Sequence, residues 1–331
     1  MTLVIVDEGV CSRVAAKISG IKVRMEPEAR LLEDLDRETA LRVLFFFSVI
    51  NYDTRGLSGV VKGRYVRGSN YLLYLLAGMA EEDPGLLDPA RIAELELGDF
   101  LSWFGPLEEA RGPRRPTERV MLLRDAAEKL LAYYGGRVSA LLDACSGRMG
   151  GSGGLRERLS AFKAFDDPLA KKTMVFAILA RKEGLWEPVD PENITVGIDY
   201  HLQRVALRSG MIKVVDEKLL EKLRARRFVS AEEHNAIRSA CLDAYTIVSR
   251  CSGLSQLEVD QLFWHLGRSC CLHAEEPACR EKPCYRSKTC SLISATDYEC
   301  EGYCPLDGTC EASLDPEKIR LVEPKVITYY Y

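Results

Sequence analysis

The chain has 331 residues, 47% of them hydrophobic and 28% charged, enough for one large domain or two ordinary ones with a substantial core. A net charge of −4 and a pI near 5.8 argue against a protein that coats nucleic acid by charge alone. No apolar run approaches the roughly twenty residues of a bilayer crossing, and the N-terminus lacks the basic, apolar, small-residue order of a signal peptide. A cytoplasmic monomer without a membrane partner is therefore expected.

Taken in chain order, Leu3 to Val6 carries strand signal and Leu41 to Ile50 reads as a buried helix. Turn-rich joints follow at Pro84 to Pro89 and Gly105 to Pro116. Apolar residues at Val120, Leu123, Ala127, Leu130, Leu131 and Tyr134 have helix period, and Gly135-Gly136 supplies the stop. The five glycines between Gly147 and Gly154 predict a mobile loop. Helices are predicted over Met174 to Leu185 and over His201 to Arg208, the latter closed by Gly210. Ser230 with Glu233 and Ser255 with Glu258 form capping boxes, opening helices that end near Cys251 and Gly267. Strand signal returns from Ile319 to Tyr331. The fold class is mainly α. A segment 1–24 precedes two helical lobes, 25–115 and 116–268, and a cysteine-rich appendage occupies 269–331.

Eight of the twelve cysteines fall between Cys270 and Cys310. The spacing Cys271-x7-Cys279-x4-Cys284-x5-Cys290 brings four sulfurs within reach of one centre, a number that suits a [4Fe–4S] cluster or, alternatively, tetrahedral zinc. A reducing cytosol disfavours disulfides. Cys270, Cys300, Cys304 and Cys310 form a second set, of which Cys300, Cys304 and Cys310 are open to a second metal, to disulfides in a thermophile or to the reduced state. Cys11, Cys145, Cys241 and Cys251 read as packing residues. The basic runs Arg111, Arg114, Arg115, Arg119 and Lys222, Arg224, Arg226, Arg227 read as solvated surface.

Ile198-Asp199-Tyr200-His201-Leu202-Gln203-Arg204-Val205, continued by Arg208-Ser209-Gly210, resembles the segment apolar-Asp-x-His-x-x-Arg-Val … Arg-x-Gly of the helix-hairpin-helix DNA glycosylase superfamily. Upstream, Lys171-Lys172-Thr173 is similar to the family's Lys-Thr at a helix start. Downstream, Leu266-Gly267-Arg268-x-x-Cys271 with Pro277-x-Cys279 looks like the start of the cluster loop of endonuclease III. The resemblance covers about 170–290 and implies N-glycosidic bond cleavage. Positive charge then builds on the sugar as the base departs, and a nearby carboxylate stabilises it or activates the nucleophile; Asp199 takes that role. A lysine that has lost proton affinity is a usable amine nucleophile; Lys172 would form a Schiff base, with Lys171 the alternative if the register shifts by one.

Each residue also has a plainer reading. Asp199 caps the helix that follows, the two lysines are surface charges, His201 is a hydrogen-bonded structural histidine, and Arg204 with Arg208 is a helix-face pair. The chain also departs from the family. The place of the Leu-Pro-Gly-x-Gly turn, whose N–H groups face a DNA phosphate, holds Phe165-Asp166-Asp167-Pro168-Leu169-Ala170, a poor anion nest. The stretch from Asp167-Pro168 to Ala177, with Leu257-x-x-Asp260-x-x-x-Trp264, is similar to the archaeal 8-oxoguanine glycosylases. The first lobe, through Asn51-Tyr52, Gly63-Arg64-Tyr65 and Leu87-Asp88-Pro89, looks like the queuosine salvage glycosidases.

Three readings follow. The first is a DNA base-excision glycosylase with lyase activity acting on damaged DNA. Its base pocket would include Asn51, Tyr52, Phe47 and Trp186, and its phosphate contacts Arg204, Arg208, Arg280, Lys282, Arg286 and Lys288. The second is a glycosidase of a modified nucleotide that uses Asp199 without a covalent lysine. The third is a non-catalytic module that binds another protein.

Overall fold

A computed structural model describes residues 2–25, 31–105, 112–273, 279, 283–284 and 290–331. The protein is mainly helical, and its few strands are short. It divides into two compact units that are not the serial lobes predicted above. One comprises Met1–Glu26 with Ile194–Ile327; the other comprises Pro27–Asn193 with Thr328–Tyr331. The correction to the 1–24, 25–115, 116–268 and 269–331 scheme has a simple cause. The N-terminal segment pairs with residues about two hundred positions later, and sequence periodicity does not report such pairing.

In the first unit, strand Val4–Val6 pairs antiparallel with Ile212–Val214, Val4 opposite Val214. Asp7 then caps helix Glu8–Ile18 by accepting from the Val10 N–H at 2.9 Å, and its other oxygen takes the Lys213 ammonium at 2.6 Å. The apolar stripe Val10, Val14 and Ile18 is buried in one cluster with Ile237, Cys241, Ala244 and Tyr245 of the helix Ala231–Ser252. Both expected capping boxes are formed, at Ser230/Glu233 and Ser255/Glu258. The first helix stops at Gly253 in the left-handed conformation, and the second, Gln256–Ser269, runs two residues past Gly267. Strand signal near the C-terminus resolves into a short helix, Pro316–Ile319, and a single bridge between Phe228 and Lys325.

The second unit is built on helix Arg37–Ile50, buried on nearly every side from Thr39 onward, as a helix apolar all round must be. The Phe45 ring lies 5.6, 5.7 and 6.2 Å from those of Phe162, Phe165 and Phe176, separations typical of favourable aromatic pairs. Helix Pro116–Tyr134 ends at Gly135 in the left-handed region, as the glycine pair predicts. The glycine-rich stretch 147–154 is pinned rather than free. The Asp190 carboxylate accepts from Met149 N at 2.6 Å and Gly150 N at 3.0 Å, and a Cβ at Gly154 would fall 2.3 Å from the Gly150 carbonyl oxygen. No helix among the described residues is long and apolar enough to cross a membrane.

Candidate functional site

In the second unit, the helix expected from Met174 begins earlier and spans Lys171–Lys182, so both lysines lie in its first turn. Ala170 precedes it at φ 53°, and Asp167 closes the turn by accepting from Leu169 N at 3.1 Å and Lys171 N at 2.9 Å. A carboxylate of the chain itself thus takes the backbone donors of this turn.

Lys172 points inward and is 2% exposed. Its Nζ donates to the Val49 carbonyl at the end of helix Arg37–Ile50 and lies 4.7 Å from the Tyr52 ring centre and 5.7 Å from that of Tyr329. Arg119 is fully buried beside it. Its three donor nitrogens reach the carbonyls of Arg114, Ile50 and Tyr52, and its guanidinium sits 4.2 Å from the Tyr52 ring centre. The two cations therefore stabilise the negative end of one helix while repelling each other. Burial, and after it the charge of Arg119, lowers the Lys172 ammonium well below its usual range; the pull of Glu118, Asp166 and Asp167 is weaker. Arg119 is itself drawn down to about 10, mainly by burial.

Residues 328–331 complete this site. The Tyr329 hydroxyl donates to Asp166 at 2.9 Å, Arg115 donates to the Thr328 carbonyl, and Asp53 N donates to the Tyr331 carbonyl at 3.2 Å. Sequence reading misses Arg119, Asp166 and Tyr329. Arg119 looks like part of a surface run, and nothing local ties a tyrosine at 329 to a lysine at 172. Of the expected base pocket, Tyr52 is enclosed by Arg115, Arg119 and Lys172. Asn51 follows the helix end, and Phe47 and Trp186 are buried core rings.

In the first unit, Asp199 is 4% exposed and caps helix Tyr200–Ser209, its Oδ1 accepting from His201 N at 2.8 Å and Leu202 N at 3.1 Å. The turn before it is held on both sides: Gly197 N donates to Asp260 at 2.8 Å, and the Ile198 carbonyl accepts from the buried Arg238. Gly267 lets the next helix approach closely, since a Cβ there would stand 2.7 Å from that of His201. His201 Nδ1 lies 2.9 Å from the Arg204 guanidinium, which can only donate, so the imidazole is neutral with its proton on Nε2. Burial and the charges of Arg204 and Arg268 hold it well below the usual histidine range.

Arg204 and Arg208, expected to meet phosphate, are instead 1% and 2% exposed and tie the cysteine-rich segment to the helix. Arg204 reaches the Cys271 carbonyl at 2.7 Å, the Gly267 carbonyl at 2.9 Å and Glu323 at 2.7 Å. Burial alone would raise the Glu323 carboxyl, but hydrogen bonding from His273 and the charge of Arg204 bring it to about 2. Arg208 donates to the Ile319, Leu321 and Leu272 carbonyls and to Cys271 Sγ at 3.3 Å. Arg280, Lys282, Arg286 and Lys288 lie outside the described residues.

A small cavity in this unit is lined by Cys270, Cys271, Cys279, Cys304 and Cys310, with Val205, Arg208, Leu266, Leu306 and Ala312. Two of the four expected ligands, Cys271 and Cys279, are there. Cys284 and Cys290 are not among its lining residues, although both belong to or pack against the same core cluster; Cys284 N donates to the Gly302 carbonyl at 2.7 Å, and Cys290 precedes helix Ser291–Ala295. Among the described residues, no three His, Cys, Asp or Glu side chains are placed to hold a single metal ion. No protein-family model matches the chain, and no curated protein matches it.

Proposed function

We propose that the protein is an N-glycosylase that removes an altered base from DNA and whose lysine amine can carry the reaction on to strand cleavage. The observation that carries this reading is the state of Lys172. A desolvated ammonium with a guanidinium as its neighbour loses its proton readily and leaves a nucleophilic amine. That amine attacks the anomeric carbon, and the base departs with the bonding electrons. Loss of the amine proton and ring opening give an imine between Nζ and the sugar, from which elimination breaks the 3′ carbon–oxygen bond. The resemblance of its segment makes Asp199, held by its cap and by the Asp260 contact to Gly197, the candidate for a carboxylate that stabilises oxocarbenium character. Borohydride reduction of the imine on abasic and lesion-bearing oligonucleotides tests the reading; a covalent adduct lost in Lys172→Ala supports it.

One observation favours a second reading, hydrolysis of a modified nucleotide. The Asp167 carboxylate already holds the N–H groups of Leu169 and Lys171, so this turn is a poor grip on a duplex backbone. Release of free base from a nucleotide, with no oligonucleotide binding and no borohydride adduct, would favour it.

A further inference from the structure

One segment of the second unit reverses the sign of the chain. From Thr54 to Met79 there are four basic residues, Arg55, Lys62, Arg64 and Arg67, and no acidic one, in a chain whose net charge is −4. The last three lie on a hairpin in which strand Ser58–Val61 pairs antiparallel with Arg64–Arg67, Val61 opposite Arg64. Its turn is two residues long, with Lys62 at φ 48° and Gly63 at φ 75°, the left-handed pair that matches the twist of a tight hairpin. At its base, Gly68 N donates to the Leu57 carbonyl at 2.7 Å, and Leu57 N donates to the Thr54 carbonyl at 3.1 Å. The hairpin therefore stands on the loop that leaves Tyr52.

The two faces of the hairpin differ. Side chains alternate along a strand, so Gly59 and Val61 look one way and Val60, Tyr65 and Arg67 the other. The first face packs on helix Gly68–Glu82: a Cβ at Gly59 would fall 2.6 Å from the Tyr71 ring, and Val61 Cγ1 lies 3.9 Å from the Cβ position of Gly78. Lys62 pairs with Glu81 in the last turn of that helix, which fixes the tip. On the second face Val60 is 61% and Tyr65 59% exposed. Arg67, exposed beside them, donates from Nε to the Tyr65 hydroxyl at 3.3 Å and holds its guanidinium 5.1 Å from the ring centre. Arg64, next to the turn, is exposed as well.

We propose that this hairpin docks a DNA strand, with Arg64 and Arg67 on its phosphates and the Tyr65 ring, backed by Arg67, against an unstacked base. The inference rests on the reading of an oligonucleotide substrate and adds to it a contact outside the lysine site. Charge complementarity selects the partner, since exposed arginines gain by displacing the counterions of a phosphodiester backbone. The aromatic ring narrows the choice further, because every base has a face that stacks on it. An acidic peptide would answer the arginines and leave the exposed ring unused. Lys62 is already neutralised by Glu81 and adds nothing until freed.

The test is binding of the full chain to a fluorescent, lesion-free, single-stranded oligodeoxynucleotide across a salt series. Wild type should bind with an affinity that falls as salt rises. Arg64→Ala and Arg67→Ala should each flatten the logarithmic salt slope by about 0.7. Tyr65→Ala should weaken binding about tenfold at fixed salt, whereas Tyr65→Phe, which keeps the ring, should not. Glu81→Gln frees Lys62 and should steepen the slope by about 0.7, a gain that a misfolded variant would not give. Wild-type affinity and slope retained in Arg64→Ala, Arg67→Ala and Tyr65→Ala would overturn the docking surface and leave the lysine chemistry standing. A wild type that binds no oligonucleotide would overturn both. Tighter binding of polyglutamate than of the strand, indifferent to Tyr65→Ala, would assign the face to an acidic protein instead.

Discussion

Lys172 Nζ lies 4.7 Å from the centre of the Tyr52 ring, against which Arg119 also places its guanidinium at 4.2 Å. With Arg115 also at 4.7 Å, three cations share this ring; burial and the charge of Arg119 make the lysine a poor holder of its proton, and the electron-rich ring face partly offsets the repulsion. Burial first, and after it the position of Arg119, sets how readily Lys172 becomes an amine.

Replacing Arg119 by Met should raise the proton affinity of Lys172, since the second cause of its depression is removed. A nucleophilic amine works when neutral, so the acid limb of the adduct-forming pH profile moves to higher pH. The variant also leaves the Ile50 and Tyr52 carbonyls without Arg119 and should lose about 1–3 kcal/mol for each acceptor left unpaired. A pH profile that stays in place while stability falls would show that Arg119 only caps the helix.

Stability should follow pH through Lys172 as well. Its folded value lies well below the 10.5 of the free side chain, so below that unfolded value the unfolded chain binds the extra proton. Folding stability therefore rises with pH from the depressed folded value up to about 10.5. Lys172→Met should flatten that rise in chemical denaturation between neutral pH and pH 10. An unchanged slope would mean that the buried amine keeps its proton.

Glu323 works in the opposite direction. Its folded carboxyl lies near 2 against 4.5 unfolded, so its contribution is present above the unfolded value and is lost as pH falls through that interval toward 2. The shift corresponds to about 3 kcal/mol. Glu323→Gln should cost roughly this much at neutral pH, with the gap from wild type closing in acid. A pH-independent difference would contradict the assigned pairing with Arg204 and His273.

Asp167→Gly should free the Leu169 and Lys171 N–H groups. Affinity for phosphate-bearing ligands is expected to rise, with about one additional phosphate contact in the salt dependence. No change in oligonucleotide binding or its salt slope would mean that this turn is never a phosphate site.

Much of the fold was legible where the signal is local. The two capping boxes, the Gly135 stop and the Asp199 cap each depend on residues within a few positions of one another. Features that depend on distant partners were hidden. The glycines at 147–154 are ordered by Asp190 some forty residues later, and Val4 finds Val214 across most of the chain. The arginines misled for a related reason: Arg119, Arg204 and Arg208 carry the charge of surface residues, yet all three satisfy interior carbonyls. Likewise, the short intervals from Cys271 to Cys290 suggest a local ligand loop, whereas folding brings Cys304 and Cys310 to the cavity.

Asp199→Asn separates the cap from the chemistry, because asparagine caps a helix about as well as aspartate. The variant should keep the wild-type melting behaviour while base release falls on the order of a hundredfold or more, the usual effect of removing one electrostatic stabiliser. Retained activity would leave Asp199 as a helix cap only.

The most direct test of the central claim is borohydride trapping on a panel of abasic and lesion-bearing oligonucleotides, comparing wild type, Lys172→Ala and Lys171→Ala. The account predicts a covalent adduct with wild type and Lys171→Ala that is absent from folded Lys172→Ala, with the modified peptide carrying Lys172. An adduct that persists in Lys172→Ala, or one that wild type never forms on any member of the panel, would contradict it.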